Sequence, residues 1–171
     1  KSVVLTMLTI GALGHGTVVN KELPTRIEYL KKFGPFERIT GGYHFAFAIN
    51  GNIRGFARPN GNYSEKGEIY NWGRGEYGVF GDGSNKSLKT PHFNENFERM
   101  KVDEKLSVVT MKSCNNYSVA LMSKKKPLPI LSLTYFYLSI GDGGLYGWGA
   151  NEFGQMGIKS DIGTVISLCF G

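Results

Sequence analysis

Cysteine and histidine, on which disulfide scaffolds and most transition-metal sites are built, are scarce in this chain: Cys114 and Cys169, with His15, His44 and His92, in 171 residues. Two thiols make no disulfide framework, which agrees with a reducing compartment. The histidines have no Cys or carboxylate neighbours at zinc-type spacing, so no metal site is expected. Long hydrophobic runs are missing too. The stretch "PILSLTYFYLSI" is twelve residues, short of the roughly 18 to 20 that a spanning helix needs. Acidic residues are the minority, 14 against 20 Lys and Arg. The resulting formal charge of +6 favours acidic partners such as nucleic acid or acidic protein faces. No nucleophile with its base can be assembled, so no catalytic residue is expected.

What the chain has instead is glycine, 24 residues, and aromatics at 13%, a bias towards short strands joined by tight turns. Much of it is arranged as a repeat. "EIYNWGRGEYGVFG" at Glu68–Gly81 aligns with "GLYGWGANEFGQMG" at Gly144–Gly157, Tyr70 over Tyr146, Trp72 over Trp148, Gly73 over Gly149, Gly78 over Gly154 and Gly81 over Gly157. "GALGHG" at Gly11–Gly16 matches "GVFGDG" at Gly78–Gly83. Tyr70 and Trp72 alternate with Ile69 and Asn71 at period two, so each copy opens as a strand. One column exchanges Gly75 for Asn151, the two residues that best tolerate positive φ, and predicts a left-handed backbone position there. Val79–Phe80 and Gln155–Met156, held between glycines, form a corner or a second short strand.

A second strand type recurs over Glu37–Ile49 and Val108–Met122, with His44, Ala46 and Ala48 on one face and Phe45, Phe47 and Ile49 on the other. Apolar residues on both faces predict a strand covered on both sides. Between the strand types lie proline-bearing linkers, "KELPTRIEYL" and "SLKTPHFNENFERM". Units of short strands with Gly and aromatic signatures read as propeller blades, so the expected fold class is all-β.

The run Trp148, Gly149, Asn151, Gly154, Gln155, Gly157, with a Pro linker and a strand ending in Ala-Leu, resembles the repeat of the regulator of chromosome condensation family. The unit 67–122 follows that pattern with Gly75 for the Asn and Val79 for the Gln, and the unit 11–49 lacks the preceding Tyr-x-Trp-Gly strand. The resemblance implies a seven-bladed β-propeller, of which about three incomplete blades would be carried here. It also implies a structural role for His44, bonding across strands within the blade, with Tyr117 in the same column.

The boundaries expected from these units are a nonconforming segment 1–10, a partial repeat 11–49, an insertion 50–66, a repeat 67–122, an insertion 123–141 and a partial repeat 142–171. The first residues, "KSVVLTMLTIGALG", have the outline of a signal peptide, but the repeat accounts better for their glycines. Three units cannot close a seven-membered ring, so a piece of a larger chain or assembly is expected. "GRGEYG" at Gly73–Gly78 satisfies the dinucleotide pattern G-x-G-x-x-G, yet "VFGDGSNKS" cannot continue the required helix. No cofactor is therefore expected. Lys124, Lys125 and Lys126 form a basic run that reads as a localisation patch, a phosphate contact or a solvated loop.

The function these features suggest is a non-enzymatic protein-interaction scaffold in the nucleus or cytoplasm. The resemblance implies a narrower version, guanine nucleotide exchange on a small Ran-like GTPase or chromatin binding. The alternatives are a secreted propeller-type inhibitor and a truncated inactive fragment.

Overall fold

The computed structural model describes residues 10–33, 35–50, 67–124 and 143–157. Residues 1–9, most of both insertions, Lys125, Lys126, Cys169 and the chain after Gly157 lie outside the described residues. Two antiparallel meanders make up the fold. The first sheet runs β1 (Phe36–Gly41), β2 (Phe45–Asn50), β3 (Glu68–Gly73), β4 (Leu88–Phe93), in that order. A helix, α1 (Glu95–Asp103), leads into the second sheet, β5 (Ser107–Cys114), β6 (Tyr117–Ser123), β7 (Gly143–Gly149). The inner strands β1 and β5 are neighbours: Arg38 donates to the Val109 carbonyl at 3.0 Å, and the Ser113 amide donates to Thr40 Oγ1 at 3.0 Å.

The sheets stack face to face, as adjacent propeller blades do. Phe45, Phe47, Ile49 and Ile69 of the first sheet share one buried core with Met111, Ala120, Met122, Tyr146 and Trp148 of the second. The period-two pattern puts these residues on one face of each strand. Ala120 keeps the approach close, and the Trp148 ring meets Phe47 and Phe97 edge-on, with centroids 6.3 and 5.4 Å away. The chain is thus an all-β propeller segment. Among the described residues no helix is long and apolar enough to cross a membrane.

The glycine corners lock one unit to the next. In each, the third residue after the first glycine donates back to it: Gly14 to Gly11, Gly81 to Gly78 and Gly157 to Gly154, all at 2.9 Å. The six glycines have φ between 65° and 72°, a left-handed conformation that side chains with a Cβ rarely adopt. The first two corners hold a tryptophan of the unit that follows. Trp72 Nε1 donates to the Ala12 carbonyl at 3.0 Å, and Trp148 Nε1 donates to the Val79 carbonyl at 2.9 Å. A methyl group on Gly14 or Gly81 would stand only 2.9 or 3.1 Å from that indole nitrogen.

Several expectations are corrected. Glu37–Ile49 and Val108–Met122 are each a hairpin rather than one strand, turning at Gly42–His44 and Asn115–Asn116. The Gly41–Gly42 and Asn115–Asn116 pairs are the turn-type residues that mark these two reversals. The sequence unit 67–122 is also not a blade: it supplies β3 and β4 to one sheet and β5 and β6 to the next. Sheet pairing sets Phe45 opposite Gly73 and Tyr117 opposite Gly149, so Phe45, not His44, shares the column of Tyr117. His44 precedes β2, in the turn.

The Gly75 and Asn151 column is not left-handed. Gly75 has φ −100°, and Asn151 is absent from the positive-φ residues. Gly75 is required by space, since a Cβ would lie 2.0 Å from the Lys86 carbonyl oxygen. Asn151 serves through its side chain, whose Oδ1 accepts from the Met156 amide at 3.0 Å. The second proline-bearing linker holds β4 and α1, with Asn94 as the helix cap accepting from the Asn96 and Phe97 amides.

Candidate functional site

Antiparallel meanders bring alternate strand ends to the same side. Four loops therefore meet at one end of the two sheets: the turn Gly42–His44, the chain after β3 from Arg74, the turn Asn115–Asn116, and the chain after β7 from Ala150. Backbone bonds of 2.8 Å stitch them together. The Arg74 amide donates to the His44 carbonyl, the Ala150 amide to the Asn116 carbonyl, and the Tyr43 amide to the Asn115 carbonyl across the sheets. Gly73 and Gly149, at φ 102° and 106°, make the first two possible. A Cβ there would fall 2.2 Å from the His44 oxygen or 2.4 Å from the Asn116 oxygen.

Side chains hold the loops further. Asn85 Oδ1 accepts from the Gly78 amide at 2.8 Å, Ser87 Oγ from the Gly75 amide at 3.2 Å, and Gln155 Oε1 from the Phe153 amide at 3.0 Å. On this frame Tyr43, Tyr77 and Phe153 are exposed to solvent. Arg74 pairs with Glu76, and its Nε is buried with no hydrogen-bond partner among the described residues. The His44 ring is half-buried against Tyr43, with centroids 4.2 Å apart. Burial, and then the neighbouring Arg74 charge, lower the His44 pKa from its ordinary value. Among the described residues no group of three or more His, Cys, Asp and Glu stands close enough to hold a metal ion.

The residues singled out in sequence do not gather at this end as side-chain contacts. Tyr70 and Trp72 in β3, and Tyr146 and Trp148 in β7, are buried in the sheets. Gly78 and Gly81 form the second corner, and Gly154, Gln155 and Gly157 the third. His44 reaches the loop end chiefly through its carbonyl. Lys124 is exposed beyond the far end of β6, away from the four loops. The exposed aromatics were not singled out. Tyr77 and Phe153 share one repeat column, and the signal that could have found them is an aromatic residue lying beyond the alternating strand, next to a glycine.

The arrangement suits protein recognition. Exposed aromatic anchors on a backbone already held in place bind with little loss of conformational entropy.

Comparison with known proteins agrees with this architecture. The family model for the regulator of chromosome condensation (RCC1) repeat matches residues 9–49, 66–121 and 142–167, more than half of the chain. The E3 ubiquitin-protein ligase HERC2 of Homo sapiens and that of Mus musculus are each 24% identical over 147 residues, or 86% of this chain. The chain spans only 2% of the length of these curated relatives. Among solved structures, a chain in the crystal structure of Kap60 bound to yeast RCC1 (Prp20) is similar with a TM-score of 0.52 and 21% identity. That match covers 84% of this chain and 26% of the other, and it speaks to fold.

Proposed function

The chain belongs to the RCC1 repeat family, and from that membership we propose that it contributes blades to a protein-binding scaffold, with the four-loop end as its contact face. The observation that carries this reading is the set of exposed aromatics Tyr43, Tyr77 and Phe153 on loops fixed by backbone hydrogen bonds. The narrower version is a small GTPase of the Ran kind as partner, with guanine nucleotide exchange as the consequence, or chromatin as a second acidic partner for a chain of formal charge +6. Such a scaffold calls for no cofactor and makes no covalent chemistry of its own. A nuclear or cytoplasmic setting belongs to the same reading, in keeping with a chain of only two cysteines. Within the scaffold the repeats are placed at 11–49, 67–122 and 142–171, separated by insertions at 50–66 and 123–141.

The test is release of a fluorescent guanine nucleotide from a panel of small GTPases, with and without the protein. Exchange predicts faster release from at least one member and loss of that effect in the double variant Tyr43→Ala/Phe153→Ala. A flat response across the panel removes the exchange version. Nucleosome binding measured in parallel decides the chromatin version separately.

A further inference from the structure

Strands β3 and β7 end alike, and then one residue breaks the match. Arg74 follows Trp72 and Gly73 where Ala150 follows Trp148 and Gly149. Their amides make the same 2.8 Å bond, one to the His44 carbonyl and the other to the Asn116 carbonyl. Ala150 does this with a methyl group, so the backbone role does not call for an arginine, and the guanidinium is an addition. The acid two positions on is common to both copies, Glu76 and Glu152. Glu76 thus belongs to the repeat and is not a partner fitted to Arg74.

The pair that Arg74 makes is incomplete. Nε and Nη2 share one edge of the guanidinium, and a carboxylate that meets this edge side-on takes a hydrogen bond from each. Glu76 Oε2 accepts from Nη2, while Nε is buried with no acceptor among the described residues. A buried donor without an acceptor is costly, and an ion pair with an exposed carboxylate contributes little in return. Glu76 is such a carboxylate, 52% exposed. The loop around this edge is fixed in place. Ser87 Oγ holds the Gly75 amide and Asn85 Oδ1 holds the Gly78 amide, on either side of Tyr77, whose φ of 61° is left-handed and strained for a residue with a side chain. The Arg74 charge also reaches the His44 ring, which packs on Tyr43.

We propose that Arg74 is the seat for an acidic side chain, Asp or Glu, of a protein partner, and that Glu76 is an internal stand-in which the partner's carboxylate displaces. This rests on the reading of the four-loop end as the contact face. The incoming carboxylate takes Nε and Nη2 together, which Glu76 does not, and the exposed rings of Tyr43 and Tyr77 supply apolar contact beside it. A carboxylate is the chemistry this edge already holds. The formal charge of +6 draws an acidic partner towards it.

The test uses the whole chain, labelled with nitrogen-15, and a capped hexaglutamate peptide as the probe. The Arg74 Nε–H signal and the amides of Tyr43, His44 and Tyr77 are expected to shift. Arg74→Lys keeps the charge and loses the fork, and is expected to weaken binding, read at the Tyr77 amide, about tenfold. The other copy carries Ala150 at this position, so the fold accepts a change there. Glu76→Gln is expected to tighten binding about two- to fivefold, because the exposed pair no longer has to be displaced. Glu152→Gln, the same change of charge in the copy without the arginine, is expected to leave it as it was. Shifts at Tyr43 and Tyr77 that persist at full strength in Arg74→Lys would overturn the seat while sparing the contact face. Equal tightening by Glu152→Gln, or an unmoved Nε–H signal, would overturn it as well. So would a hexathymidylate that moves this signal at lower concentration than the peptide, which would assign the edge to phosphate.

Discussion

Trp148 shows how much one side chain can decide. Its indole N–H is 2.9 Å from the Val79 carbonyl, and its ring packs on Phe47 and Phe97, so a residue of the second sheet is held by the chain that leaves the first. Replacing it by Phe keeps an aromatic ring but leaves a buried carbonyl without its donor. W148F is expected to destabilise the protein by about 2 to 3 kcal/mol, read as a lower urea midpoint at unchanged slope. Retention of the wild-type midpoint would mean that the indole N–H contributes nothing. Its column with Trp72 was plain in the sequence, and so was its strand. Its bond to the preceding corner was not, because Val79 lies 69 residues away and only packing of the sheets brings the two together. His44 went the other way: a period-two reading placed it inside a strand, and the turn took it out.

At the scale of the element, α1 is the instructive case. It lies in a stretch read as a proline-bearing linker, yet Asn94 caps it through Oδ1, and the same side chain donates from Nδ2 to Asn71 Oδ1 and to the Phe80 carbonyl, at 2.9 and 2.8 Å. Phe97 and Met100, three residues apart, bury one side of the helix in the core. The cap and that spacing are both present in the sequence, but Pro91, three residues before Asn94, is a break signal that masks the short helix beyond it. Asn94→Ala removes the cap and strands two buried acceptors. A loss of about 2 to 4 kcal/mol is expected, with early amide exchange through residues 95–103 as the local readout. A loss well below 1 kcal/mol would show that the buried asparagine pair does not hold this helix to the sheet.

The whole molecule is stitched out of phase with its sequence. Unit 67–122 closes one sheet and begins the next, so neither sheet can form from one unit alone. The two sheets also share a single core. They are therefore expected to unfold together: tryptophan fluorescence, which reports the corners, and far-ultraviolet circular dichroism, which reports the strands, should give one coincident urea transition. Two separated transitions would show that the sheets are independent. Residue order alone settled the all-β class and the columns that join Tyr70 and Trp72 to Tyr146 and Trp148, because a side-chain period of two leaves marks on neighbouring residues, but it left the glycine stretches open as corners or short strands. Tertiary structure alone decided which strands share a sheet, that Gly75 and Asn151 answer to crowding and a side-chain hydrogen bond rather than to φ, and that Tyr43, Arg74, Asn115 and Phe153 lie at one end. Those outcomes depend on contacts between residues far apart in the chain, and no local pattern encodes such contacts.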